Sequence, residues 1–386
     1  MKYKTNSLNC LADIQTGPFG SQLHNEDYVL EGTPIVTVEH LGEKNFKQQN
    51  LPYVSDADKE RLSKYVLKPG DIVFSRVGSV DRCSYVSAKY DGWLFSGRCL
   101  RVRPNETLDP QYLYYYFCAE ETKQFVRNIA VGATMPSINT ALLGQVQISY
   151  PDIITQKKIV AILSALDEKI AINRAINDNL QQQAAALFSS LYDRSNTEVR
   201  FTDLIQILGG GTPKTGENTY WNGNIAFFTP KDVGTPYTLI TEKTISKEGL
   251  SHCNSRLYPV NTVFVTARGT VGKVGMSGVP MAMNQSCYAL VGKETHQLLV
   301  YFYTLKTVDR LKHKASGAVF DAITTRDFES EQIMKLSDED AKSFLCIAEP
   351  MFQKILNNSI ENQRLSTLRD SLLPKLVSGE IDVSAV

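Results

Sequence analysis

The sequence predicts an α+β fold written twice: two repeated α/β domains separated by two long antiparallel coiled-coil helices, with pseudo-twofold symmetry. Three observations predict it. A long internal repeat runs through the chain, short β-like runs alternate with turn residues in both halves, and two stretches carry apolar residues at alternating steps of four and three.

The repeat is read by laying Ile159–Leu191 over Phe344–Leu376, 185 positions on. Ile162 falls on Ile347, Ile170 on Ile355, Asn173 on Asn358, Asn177 on Asn362, Leu180 on Leu365, Leu187 on Leu372 and Leu191 on Leu376. The same shift pairs Gly132-Ala133 with Gly317-Ala318 and Ile138-Asn139-Thr140 with Ile323-Thr324-Thr325. Upstream, with small slips, Gln111-Tyr112-Leu113 echoes Gln297-Leu298-Leu299, and Cys99 echoes Cys287. Val73-Phe74 with Gly78-Ser79-Val80 echoes Val263-Phe264 with Gly269-Thr270-Val271. The repeat divides the chain into a first module (1–152), a first helix (153–196), a second module (197–337) and a second helix (338–386).

Within the modules, Thr33–Val38, Asp71–Ser75, Ile225–Phe228 and Thr262–Val265 read as strands between Gly, Pro, Asn and Asp turns. One helix fits in each, Tyr112–Asn128 and His296–Lys314, and Tyr112–Phe117 reads as a buried helix face rather than a base-stacking platform. The long helices, about 154–192 and 339–378, carry a coiled-coil seam. Its residues include Ile159, Leu163, Leu166, Ile170 and Leu180 in one helix and Met351, Ile355 and Leu365 in the other. Asn173, Asn177, Asn358 and Asn362 interrupt the seam, where a buried amide penalises any register that leaves it without a partner. Ile159 to Leu191, at ~1.5 Å per residue, makes a rod of about 48 Å, or roughly 14 base pairs of duplex. Pro374 stands where the first helix has Ser189, so the second helix is expected to kink or stop near Leu373.

The 386 residues suit two domains, and 42% hydrophobic content suffices for buried cores. Lys+Arg and Asp+Glu balance at 41 each, so a charged face must be sought locally. The seven cysteines are scattered without a C-x-x-C pair, which points to free thiols in a reducing compartment rather than disulfides or zinc. The N-terminus lacks the apolar core of a signal peptide, and no apolar run approaches membrane-spanning length. A cytoplasmic protein with no membrane association is expected.

Leu208-Gly209-Gly210-Gly211-Thr212-Pro213-Lys214-Thr215-Gly216 superficially suggests a phosphate-binding loop. That loop needs Gly directly before Lys, so that successive N–H groups wrap the phosphates. Pro213 stands there instead, with no N–H to donate. The glycines also have a counterpart without any Lys-Thr in the first copy, Thr16-Gly17-Pro18-Phe19-Gly20.

At this point the chain resembles the specificity subunit of type I restriction–modification systems, over essentially its whole length. The resemblance rests on Gln156-Lys157-Lys158-Ile159-Val160 leading into Leu163–Ile170, on the tail Leu368–Ile381, and on Gly210-Gly211-Thr212-Pro213 through Tyr220-Trp221 to Phe228–Val233. It implies that the modules are target-recognition domains, each reading half of a split double-stranded DNA sequence. The helices would set the spacer and dock two methyltransferase subunits, with restriction subunits joining the complex. The family's specificity subunit is non-catalytic and no cofactor is expected.

Locally the charge tips basic. Between Asp71 and Arg103 lie Arg76, Arg82, Lys89, Arg98, Arg101 and Arg103, and between Arg256 and Lys314 lie eight Lys or Arg against Glu294 and Asp309. Base reading needs forked or amide donors, which makes Arg76, Ser79 and Arg82 candidates in the first module, with Arg98 beside them. In the second the candidates are Arg268, Thr270, Lys273 and Gln285. Thr212, Lys214, Tyr220, Trp221 and Lys231 are second-rank candidates, with core packing the alternative for the two aromatics.

Two other classes compete. A stand-alone Mg-dependent nuclease would use Pro151-Asp152 with Asp167-Glu168-Lys169, but the second cluster sits inside the helix, where it cannot converge with Asp152 on one metal. A coiled-coil scaffold would show no DNA selectivity. A methyltransferase lacks its Asn/Asp-Pro-Pro-aromatic segment, and the five histidines show no ligand or triad spacing.

Overall fold

The computed structural model describes residues 3–18, 22–234, 236–314 and 322–383. Two compact units emerge, Met1–Glu168 with Leu365–Val386, and Lys169–Arg364. Each holds one module and a stretch of both long helices. Phe19, Gly20, Gly317 and Ala318, invoked above for the repeat, lie outside the described residues.

In the first unit, four antiparallel strands lie in the order Ala12–Thr16, Cys99–Pro104, Ile72–Ser75, Cys83–Tyr85. A second small sheet sets Thr33–Val36 parallel to Leu94–Phe95. Lys4–Ser7 pairs with Gln147–Tyr150 just before the first long helix begins. The second unit repeats this plan. Ile205–Gly209, Cys287–Gly292, Val263–Thr266 and Val274–Ser277 follow in the same order, extended by Tyr237–Thr238. Trp221–Phe228 runs parallel to Met281–Met283, and Thr197–Arg200 pairs with Gln332–Lys335.

Strand register corrects one detail of the repeat. Ser75 lies opposite Cys99 and Thr266 opposite Cys287. Ile72-Val73-Phe74 therefore matches Val263-Phe264-Val265, one residue away from the alignment read in the sequence. The core composition agrees. Ile72 and Phe74 point into the cluster shared with the helices, as do Val263 and Val265, while Val73 and Phe264 face the other way. A one-residue slip exchanges the two faces of a strand, so only this register buries equivalent side chains alike.

The long helices run Ile153–Asp193 and Asp338–Ser378. Within the second unit they are antiparallel: Asn173 Nδ2 donates to Asn362 Oδ1 (2.9 Å), Asn358 Nδ2 to Asn177 Oδ1 (2.8 Å), and Arg194 to Asp340 (2.9 Å). Within the first unit Arg369 donates to Asp167 (2.8 Å), and Ile159 and Leu163 share a core with Leu373 and Leu376. Ile159, Leu163, Ile170, Asn173, Asn177, Ile355 and Asn358 are buried; Leu166, Leu180, Met351, Asn362 and Leu365 are partly so.

Two expectations about helices need correction. The second long helix does not stop at Leu373 but continues through Pro374 to Ser378. Pro374 is exposed, as is Pro350 within the same helix, so water can reach the carbonyl that each leaves without its i+4 donor, while Leu373, Leu376 and Val377 stay anchored in the core. The helix placed at Tyr112–Asn128 is instead two, Pro110–Cys118 and Glu120–Ile129, separated by an extended Ala119. Its counterpart Gln297–Lys314 is continuous. Tyr112, Leu113, Tyr114, Tyr115 and Phe117 are buried. No helix of the described residues is long and apolar enough to cross a membrane.

Candidate nucleic-acid interface

The glycine stretch is a packing device. Gly211 N–H already donates to Met283 O (3.1 Å), so it is not available to a phosphate. A Cβ on Gly210 would sit 2.2 Å from Asn284 O, and one on Gly17 would sit 2.2 Å from Ser96 O. The same close backbone approach thus needs glycine at the same place in both modules.

That approach brings the chain beside an irregular loop that both modules close at the same two positions. Ser75 N donates to Arg82 O (2.9 Å) and Thr266 N to Lys273 O (3.0 Å), closing the loops Ser75–Arg82 and Thr266–Lys273. Gly78 and Gly269 take φ of +74° and +81°, open to solvent, where a Cβ would meet nothing within 4 Å but would be strained. Ile138 N donates to Arg76 O and Ile323 N to Ala267 O, both 2.9 Å, which ties each loop to the segment after the central helix. Hence Arg82 corresponds to Lys273 and Ser79 to Thr270, whereas Arg268 corresponds to Val77 rather than to Arg76.

In the second module the loop borders a groove of about 490 Å³ lined by Thr229, Pro230, Lys231, Glu242, Lys243, Arg268, Gly269, Thr270, Asn284 and Ser286. Lys231, Arg268 and Thr270 are brought together there, all exposed. Thr270 Oγ1 donates to Pro230 O (3.3 Å), and Lys231 lies 3.8 Å from Glu242. Gln285 and Thr212 are exposed and hydrogen-bonded to each other, and Lys273 is exposed. Lys214 is exposed on its own turn, whose carbonyl accepts the Trp221 indole N–H (3.1 Å). Tyr220 and Trp221 are half-buried, the first stacked on His252 at 4.9 Å, the second against Phe227 at 5.5 Å. In the first module Ser79, Arg82 and Arg98 are exposed, and Arg76, partly buried, donates to Gly97 O (3.1 Å).

Other cations in the basic segments serve the fold. Arg101 is buried against Asp13, and Arg103 makes a two-pronged pair with buried Asp71 (2.6 and 2.7 Å). Lys89 covers the Tyr90 ring and Lys306 the Tyr192 ring, Arg310 donates to Gln332 O, and Lys314 pairs with Glu331. The repeat alone does not single out Lys243, Asn284 or the turn Thr229–Asp232, because the strand pairing that brings them to the groove is non-local.

Duplicated recognition-type modules on paired helices, each with a solvent-facing loop, define the fold class of a restriction-system specificity protein. The family model for the type I restriction modification DNA specificity domain matches residues 2–182 and again 194–365. The chain belongs to this family. It is 25% identical over 405 residues to the type I restriction enzyme HindI specificity subunit of Haemophilus influenzae, covering 83% of this chain and 88% of that one. It is 23% identical over 309 residues to the MjaIX specificity subunit of Methanocaldococcus jannaschii, covering 73% and 71%. The crystal structure of a type I restriction–modification S subunit from M. genitalium shares the fold, with a TM-score of 0.61 at 15% identity over 97% of this chain and 96% of that one.

Proposed function

We propose that this chain is the non-catalytic, sequence-reading subunit of a type I restriction–modification complex. Each module reads one half of a bipartite target in double-stranded DNA. The helices set the number of unread base pairs between the halves and dock two methyltransferase subunits, through which restriction subunits join in the cytoplasm. The observation that carries this reading is the matched loop, Ser75–Arg82 and Thr266–Lys273: each places exposed hydroxyl and cationic side chains on a glycine-relaxed turn held by backbone hydrogen bonds. Such a loop offers donors to base edges and phosphates while its scaffold stays rigid.

The two carboxylates of the nuclease alternative are spoken for. Asp152 accepts from Ile154 N, Thr155 N and Thr155 Oγ1 at the helix start, and Asp167 lies fifteen residues along the same helix, about 22 Å away. The test is selection from a random duplex library by the chain assembled with its methyltransferase subunits. Recovery of a split motif with a fixed gap is expected, bound with a steep salt dependence. Recovery of random duplexes would favour a scaffold without selectivity.

A further inference from the structure

The two modules present the same turn beside the candidate interface but with opposite charge. Val36 pairs in parallel with Phe95, and Ser96 N donates to Val36 O (2.8 Å). Phe228 pairs in parallel with Met283, and Asn284 N donates to Phe228 O (2.9 Å). The turns that follow, Thr37–His40 and Thr229–Asp232, are therefore equivalent residue by residue.

They are also closed in the same way by different chemistry. Thr37 N donates to His40 Nδ1 (3.0 Å), as Thr229 N donates to Asp232 Oδ2 (2.8 Å). Both threonine hydroxyls meet the same acceptor, at 3.0 and 2.6 Å. His40 is buried and its Nε2 meets Gln49 O at 3.1 Å. With Nδ1 accepting, Nε2 carries the proton and donates.

The third residue of each turn is exposed: Glu39, at 65%, accepts from the Thr37 hydroxyl at 3.4 Å, and Lys231, at 80%, lies 3.8 Å from Glu242. Lys231 lines the groove with Arg268 and Thr270. Glu39 belongs to the segment whose Gly42 packs on the Arg82 stem, a Cβ there falling 3.5 Å from Arg82 Cδ. Arg82 is the counterpart of Lys273. Both turns thus sit beside the matched loops, and their exposed third residues carry opposite charge.

A carboxylate beside duplex DNA is repelled by the phosphates, a cost that is offset where it accepts a hydrogen bond from a base edge. The cytosine N4 amino group in the major groove is the partner suited to a carboxylate, whereas an ammonium meets guanine O6 and N7. We infer that Glu39 is a base-reading residue of the first module that accepts from a cytosine N4 amino group, and that Lys231 is its polarity-inverted counterpart, reading guanine in the second half. This rests on the proposed function and adds which base chemistry one position in each half selects.

The experiment maps every methylated site made on genomic DNA by the full chain with its methyltransferase subunits, for wild type, Glu39→Ala, Glu39→Lys and Lys231→Glu. The expected wild-type motif has a cytosine in the first half. In Glu39→Ala the preference at that one position relaxes by about tenfold or more, while the second half is unchanged and so reports a folded complex. Glu39→Lys moves the preference toward guanine, and Lys231→Glu makes the reciprocal change in the second half only. An unaltered motif in Glu39→Ala, a first half without cytosine, or changes in both halves would overturn the inference. A wild-type complex that methylates no defined motif would instead refute the proposed function itself.

Discussion

Asp167 on the first long helix accepts a 2.8 Å hydrogen bond from Arg369 on the second. Its other oxygen accepts from the Tyr115 hydroxyl (2.6 Å), which in turn accepts from Lys44 Nζ (3.1 Å). One carboxylate thereby ties both helices to the first module. The repeat puts Phe352 where Asp167 stands, and there Phe352 packs on Tyr301 and Phe302 at 5.7 and 5.6 Å. The same position is polar in one copy and aromatic in the other.

Asp167→Ala should therefore destabilise the first unit by about 2 kcal/mol, because it strands a guanidinium and a tyrosine hydroxyl that are partly desolvated. Burial already pushes the Lys44 ammonium below its usual value despite Asp167 nearby, so losing the carboxylate removes part of its compensation. Urea unfolding of Asp167→Ala, Arg369→Ala and the double variant checks this. Strongly non-additive effects are expected; simple additivity would show that the pair is not coupled.

The seam asparagines of the second unit form two pairs across the helices, Asn173 with Asn362 and Asn177 with Asn358. Asn358 donates to Asn177, and Asn177 donates to Ile355 O and Ser359 Oγ, both at 3.3 Å. Asn358→Leu leaves the Asn177 oxygen buried without its donor and should cost about 1–3 kcal/mol. Asn177→Leu with Asn358→Leu should recover much of that loss by removing both amides. Thermal unfolding of Asn177→Leu, Asn358→Leu and the double variant distinguishes a paired from a solvated amide.

Alkaline sensitivity follows from the buried tyrosines and thiols. Burial raises Tyr115 and Tyr237 and pushes Tyr301 up to about 12, from 10.0. Cys99 and Cys287 are likewise pushed up to about 12 from 9.0, by burial first. These groups stay protonated in the folded chain after the unfolded chain has ionised. Their stabilisation is full below pH 9 and is lost progressively above it, at about 1.4 kcal/mol per pH unit for each ionising group. Chemical denaturation from neutral pH into this range should show falling stability; a flat profile would contradict the buried assignments.

Arg268 and Lys273 should separate specificity from attraction. Arg268→Ala, in the groove, should cost about 1–3 kcal/mol of binding to the selected duplex and relax one position. Lys273→Ala should weaken binding evenly across sequences and lower the salt slope by about 1. Titrations at several salt concentrations, on selected and random duplexes, provide the check.

Much of the architecture was legible because the chain carries its own alignment. The period of Ile159, Leu163, Leu166 and Ile170 marks a helix seam from sequence alone, and the strands near Ile72 and Val263 stand out between turns. What stayed hidden depends on non-local pairing. Val73 and Val263 look interchangeable until hydrogen bonds fix which face each strand buries. Arg101 and Arg103 look like interface cations until Asp13, on a neighbouring strand, and Asp71, just before another, meet them. The turn bearing Glu39 carries no local motif, and only its structural match to the turn bearing Lys231 draws notice. Pro374 misleads because its local penalty is outweighed by Leu373, Leu376 and Val377 in the core.

The most direct measurement of the central claim is an exchange of residues 1–152 for the corresponding module of another specificity subunit, with the methylated sites of the assembled complex sequenced before and after. If each module reads its own half-site, one half of the motif changes and the other is retained. Alteration of both halves together, or of neither, would contradict independent reading by the two copies.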